Sequence, residues 1–311
     1  MKSFLLKVIL FLIITVSLAA GLIVLSDFAV RNRESKLLKV KDDVNVIFAG
    51  DSYVECAVND RLIAHTINIA QSGEAYLYSY SKIKALLEYN SQIKTVYIGF
   101  SFGDLLMEKE KSWLFSSEFV TEKIQYYNYL LGPSEKSLIL KSNPIAYLSG
   151  LTKSVNNNFQ SFVKSYSSEY SNGSIKNFGG YKHLVRDKLK LDTELNLYKE
   201  QPIEKSLVQE KYLKMISELC MQNSVDLVLF CTPKYKSYNT NIDNDVKQIW
   251  IQARNSLSKG TLADYSSIIL PDSCYGDLTH LNYKGAELFS KYLNKELNSK
   301  RPDTLNSPRI E

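Results

Sequence analysis

Short apolar runs alternate with longer stretches of helical spacing along most of the chain. Residues 44–50 (VNVIFAG), 66–73 (TINIAQSG), 94–101 (KTVYIGFS) and 225–233 (VDLVLFCTP) have the length and residue types of buried strands. A weaker strand falls within 261–270. Residues 74–89 (EAYLYSYSKIKALLEY) bring Tyr76, Tyr80, Ile83 and Leu87 to one helical face. Residues 206–222 are amphipathic, and 242–258 and 283–297 read as two further helices. Strands alternating with helices predict a parallel sheet covered by helices on both faces. Residues 104–205 break the rhythm after the third strand, at a length far beyond an ordinary connection. They are expected to be an insertion, helical near 118–131 and loop-rich later, draped over one sheet edge as a lid or substrate wall. Asn156, Asn157 and Asn158 fall in that later part and read as a surface loop.

The first pattern to depart from this alternation is at the N-terminus. VILFLIITVSLAAGLIVLS lies uncharged between Lys7 and Asp27, long enough for a bilayer core of about 20 residues. Small residues in SLAAG offer a signal-cleavage alternative, but the apolar run continues through Leu22, Ile23, Val24 and Leu25. That is long for a signal h-region of about 7–15 residues. Residues 1–29 are therefore expected to be a transmembrane anchor, 30–43 a basic linker, 44–298 the α/β domain and 299–311 a polar tail. Lys2 and Lys7 precede the span, while Arg31, Arg33, Lys36, Lys39 and Lys41 follow it. The positive-inside rule alone favours the reverse orientation. Because large domains translocate largely regardless of charge, an extracytoplasmic domain is still expected.

Composition narrows the function classes. The 311 residues carry a net charge of +5 with basic residues spread out, which gives no nucleic-acid stripe. Four Cys without a CxxC pair, and three His, leave no zinc pattern, so neither metal nor cofactor is expected. Buried thiols are the simple reading of the cysteines. In an exported domain, Cys56 with Cys274 is the first disulfide pair to examine.

Candidate chemistry collects at strand ends, where open α/β sheets place their ligands. Strand one ends in Gly50-Asp51-Ser52, strand two in Gln71-Ser72-Gly73, and strand three in Ser101-Phe102-Gly103-Asp104. Far downstream, CYGDLTHLNYKGAELF sets Asp277 and His280 three residues apart before the last helix. A serine nucleophile needs a base in reach and a carboxylate to orient that base. Ser52 has a second local reading, because Ser52-Tyr53-Val54-Glu55 also spells a helix capping box. Asp104 reads as a cap, and Glu55 and Glu74 as charges at helix starts, with Glu74 also a candidate to line the site. His65 and His183 lack an acidic neighbour at a productive spacing. The tyrosines of 74–89 read as a core helix before a sugar platform.

A Gly-Asp-Ser after the first strand together with Asp-x-x-His-Leu before a C-terminal helix resembles the SGNH/GDSL hydrolase superfamily, over roughly 44–104 and 206–298. The resemblance implies a flavodoxin-like three-layer α/β/α fold, Ser52 as nucleophile, His280 as base and Asp277 as its orienter. It also implies an oxyanion hole built from the backbone N–H groups of Ser52 and Gly73. The family's third block, Gly-x-Asn-Asp, is not matched by GFSFGDL, which leaves Ser72 or Ser101 as substitute donors. An anchored protein of this type is similar to those of envelope polysaccharide O-acetylation and teichoic-acid D-alanylation. The implied activity is ester hydrolysis or O-acyl transfer on an acylated cell-envelope glycan or small ester. The implied setting is the membrane, with room for an envelope protein partner. The alternative is a non-catalytic accessory or glycan-binding protein with a degenerate oxyanion hole.

Overall fold

The computed structural model describes residues 1–164, 178–186 and 203–299, with the backbone alone described at 31–37 and 161–164. The elements in chain order are α1 (Lys2–Leu37), β1 (Val46–Ala49), α2 (Ser52–Ala57), β2 (Thr66–Asn68), α3 (Tyr76–Tyr89) and β3 (Thr95–Gly99). Then come α4 (Ser117–Tyr127), α5 (Pro133–Ser142), α6 (Pro144–Lys164), α7 (Leu207–Gln222), β4 (Asp226–Cys231), α8 (Asn244–Asn255), β5 (Thr261–Asp264) and α9 (Tyr283–Ser299). Short helical turns at Phe102–Leu105, Met107–Lys109 and Lys236–Thr240 fill the connections.

The chain divides into two compact units. One comprises Met1–Lys39 with Leu114–Asn177, and the other Val40–Trp113 with Phe178–Glu311. The larger unit is an α/β domain with a five-stranded sheet in the order β2-β1-β3-β4-β5, parallel throughout. Register pairs Phe48 with Tyr97, and their rings stack with centroids 4.7 Å apart. Phe230 joins edge-on from β4, and Tyr265 and Phe289 of α9 extend the cluster. Val54 and Ala57 of α2 are buried in the same core, so the short helix after β1 is held from beneath. Burying one such ring stabilises by about 1.5–3 kcal/mol, which makes this cluster the main support of the strand ends.

The smaller unit gathers α1 with α4, α5 and α6. Helix α1 is long and apolar enough to cross a membrane over Lys2–Val30, and none of that apolar window is buried. At its end Asp27 accepts from Asn128 Nδ2 at 2.7 Å and pairs with Lys136 Nζ at 3.0 Å, while Ser26 Oγ accepts from Asn158 Nδ2 at 2.7 Å. Two expectations change here. The basic stretch after residue 29 is helical as far as Leu37, because no Gly or Pro interrupts residues 22–37. The insertion is far more helical than its composition suggests. Asn156, Asn157 and Asn158 lie inside α6, whose buried Leu151 and Ser154 and half-buried Val155 hold the turn that three asparagines alone would not favour. The rest of the loop-rich expectation, at 165–177 and 187–202, and the tail at 300–311, lie outside the described residues.

Candidate functional site

Every candidate residue follows the carboxyl end of a strand, as an open parallel sheet requires. After β1 the chain turns at Gly50, whose φ of +135° suits glycine and whose α-carbon lies against Gly99. Helix α2 then starts at once. Its N-cap is Asp51, whose Oδ1 accepts from the Tyr53 N–H at 3.0 Å. Ser52 is therefore the first helical residue and not the cap. Glu55 does not close a capping box on Ser52 either; its carboxylate accepts the Ser72 hydroxyl.

The loop between β5 and α9 carries the other two groups. Ser52 Oγ is 2.8 Å from His280 Nε2, and His280 Nδ1 is 2.8 and 2.9 Å from the two Asp277 oxygens. A carboxylate only accepts, so Nδ1 carries the ring proton and Nε2 is left to accept from the serine. Asp277 Oδ1 also accepts from the N–H groups of Thr279 (2.9 Å) and His280 (2.8 Å) and from the Thr279 hydroxyl (3.0 Å). Arg186 donates to Oδ2 at 3.1 Å. Burial pushes the Asp277 carboxyl up, but the His280 hydrogen bond and charge and these N–H donors hold it well below the usual range. The carboxylate thus stays ionised beside the imidazole.

The Ser52 N–H lies in the first turn of α2, where a helix has no partner of its own for it. Gly73, at a φ of +68°, turns the chain after β2. Among the described residues neither N–H has a protein acceptor. The two hydroxyls considered beside them are placed differently. Ser72 gives its proton to Glu55, and Lys182 Nζ approaches it at 3.3 Å. Ser101 opens the turn after β3, with its N–H donating to Asp104 Oδ2 at 2.6 Å. Ser101 is thus the N-cap of the turn, and Asp104, expected as the cap, instead closes a capping box on it from the third position.

What occupies the third strand end is a buried charge cluster that the letters did not reveal. Lys109 Nζ lies 2.5 Å from Asp51 Oδ2 and 3.5 Å from Asp104 Oδ1. Burial favours neutral Asp51, yet Lys109 holds its carboxyl below the usual range. Burial and the charge of Asp51 push Asp104 up to about 7. Lys234, just past β4, puts its ammonium 3.4 Å from the Tyr53 ring centroid and donates to the Thr279 carbonyl at 3.1 Å. Burial lowers it to about 8 despite Asp51 and Asp104. The Tyr53 ring lies 5.0 Å from the His280 ring, so Lys234 ties the helix that carries Ser52 to the loop that carries His280.

No protein-family model matches the chain, and no curated protein matches it either. The site is thus read from its own geometry.

A strap at Phe178–Arg186 crosses the same strand ends. Lys82 Nζ donates to the Phe178 carbonyl at 2.7 Å, Gly180 N–H to Ala70 O at 3.0 Å, and Lys182 N–H to Glu55 O at 2.9 Å. Tyr283 N–H reaches Leu184 O at 3.0 Å, and Asn282 Nδ2 reaches Arg186 O at 2.8 Å. The strap supplies Lys182 and Arg186, neither of which carried a sequence signal. Thr279, by contrast, stood inside the GDLTH motif itself. Among the described residues no cluster of His, Cys, Asp and Glu could hold a metal ion. Cys56, Cys220, Cys231 and Cys274 are all free and buried, so the Cys56–Cys274 pairing is not formed.

Proposed function

We propose that the chain is a serine-dependent ester hydrolase or O-acyl transferase, anchored to a membrane by α1, acting on an acylated cell-envelope glycan. The observation that carries this reading is the hydrogen-bonded series Ser52 Oγ–His280 Nε2 and His280 Nδ1–Asp277, at 2.8 Å for each link. The sheet order β2-β1-β3-β4-β5 is that of flavodoxin-like sheets and supports the three-layer α/β/α arrangement of SGNH hydrolases.

In this mechanism His280 Nε2 takes the Ser52 proton as Oγ attacks the ester carbonyl. Asp277 keeps the imidazole oriented and favours the imidazolium that forms. The Ser52 and Gly73 N–H groups receive the oxyanion. His280 then returns the proton to the leaving hydroxyl, and the acyl-Ser52 passes to water or to a sugar hydroxyl. The envelope glycan follows from the anchor and the family resemblance, with the domain on the extracytoplasmic side.

A fluorophosphonate probe on the full chain in detergent tests the reading. Wild type is expected to be labelled and Ser52→Ala not. Absence of labelling on a folded wild type would overturn the nucleophile and leave the second reading, a glycan-binding accessory protein. That alternative draws on the third strand end, where GFSFGDL has Gly103 or Ser101 in place of an asparagine donor, and on the Ser72 hydroxyl after the second strand, which is given to Glu55. Competition between water and sugar acceptors for the acyl group separates hydrolase from transferase.

A further inference from the structure

The helical unit built around α1 carries an apolar line on its surface. In α6, Ala146, Tyr147, Gly150, Leu151 and Ser154 turn inward. On the other side Ile145, Leu148 and Phe159 stand 82%, 59% and 66% exposed. At 3.6 residues per turn these three fall within an arc of about 60°, which also holds the exposed Thr152, so they form one stripe along the helix. Lys153, Asn156 and Gln160, all exposed, occupy its polar shoulder. Three of the four exposed residues described in this arc are large and apolar, where a helix facing only water places polar ones.

Helix α1 indicates what covers it. Leu22, Val24, Leu25 and Phe28 are likewise exposed in the same unit. The apolar run ends at Ser26 and Asp27, and these are the residues held by Asn158, Asn128 and Lys136. Asn158 adjoins Phe159, so α6 meets α1 beside one end of the stripe, where the apolar run gives way to charge. For a helix inserted as far as Asp27, that level is the lipid headgroup region.

We propose that α6 is an interfacial helix, with Ile145, Leu148 and Phe159 seated in the headgroup and upper acyl region of the bilayer that α1 crosses. Apolar side chains on one face and lysines beside them are the features that hold a helix in this plane. The exposed Lys141 and Lys153 would meet anionic phosphates. The proposal rests on reading α1 as inserted.

Spin labels test both. The four native cysteines are buried and free, so a nitroxide added to the folded chain reports only an introduced site. The sites are Ile145→Cys, Leu148→Cys and Phe159→Cys, with Lys153→Cys on the shoulder and Leu12→Cys in α1. Each full-length variant is reconstituted in mixed phosphatidylcholine and phosphatidylglycerol vesicles, and collisions with oxygen and with a water-soluble nickel chelate are measured. The ratio of oxygen to nickel collisions is expected to be several-fold higher at the three stripe positions than at Lys153→Cys. Equal, water-like ratios at all four, with Leu12→Cys in lipid, overturn the seat and leave the anchor standing. A water-like Leu12→Cys overturns the anchor and the seat together. Lipid-like oxygen ratios confined to vesicles holding a second membrane protein would assign the stripe to that protein instead.

Discussion

Asp277 accepts from two backbone N–H groups, two side-chain hydroxyl or guanidinium donors and the imidazole, so its loss removes the orientation of His280 along with a charge. Asp277→Asn is expected to slow probe labelling on the order of 10⁴-fold while the chain stays folded, because an amide keeps one accepting oxygen and puts an NH2 donor where the second stood. Labelling at the wild-type rate would remove Asp277 from the mechanism. Asp104 predicts a pH dependence of a different kind. Its raised carboxyl keeps a proton in the folded chain that the unfolded chain sheds between 3.8 and about 7. Its contribution to stability is therefore full below 3.8 and lost as the pH rises through about 7. Asp51 and Asp277, held low, run the other way, contributing above 3.8 and failing in acid. Asp104→Asn removes the first slope alone. Its Tm relative to wild type should climb from pH about 4 to about 8, and a flat difference would contradict the assignment. Lys109→Met strands two buried carboxylates and should cost about 3–5 kcal/mol in denaturant unfolding. Adding Asp104→Asn to that variant should restore part of the loss.

Among the elements, the sheet and its flanking helices were legible because their apolar periods are clean. VDLVLFCTP has the length, the residue types and the closing Pro of a buried strand, and β4 runs Asp226–Cys231. The pairing of Ser52 with His280 was legible for a chemical reason, since a strand-end serine and a late Asp-x-x-His each have few other uses. The insertion was not legible. Helix α6 is stabilised by what its buried face touches, and a reading of propensity sees only the asparagines. Lys109 and Lys234 were invisible because a lysine in sequence usually means solvent, whereas these are bonded to groups far away in the chain. The strap at 178–186 offered only a pair of glycines. Gly179 makes the strap testable. It adopts a φ of +108°, and a Cβ there would collide with the Ala70 carbonyl. Gly179→Ala should destabilise by about 1–3 kcal/mol and speed tryptic cleavage after Lys182 and Arg186. Gly103→Ala, with open space around it, should change neither. Equal protease resistance in both variants would show that the strap is not held as described.

For the whole molecule, four buried thiols and no disulfide mean that covalent cross-links contribute nothing to its stability. Burial pushes Cys56 and Cys220 up to about 12, so neither forms a thiolate near neutral pH. A bulky thiol reagent should therefore find no site on the native chain and four after denaturation, and a reductant should leave Tm unchanged. A native thiol titre above zero would contradict this arrangement. Asp27 has a consequence in time as well. Its partner Asn128 lies 101 residues further along the chain. At about 5–20 residues per second, a ribosome needs roughly 5–20 s to supply that amide after the carboxylate has emerged. For that interval the nascent chain holds an unpaired carboxylate at the end of its most apolar helix, and water or the insertion machinery must solvate its charge until Lys136 of α5 has also been synthesised.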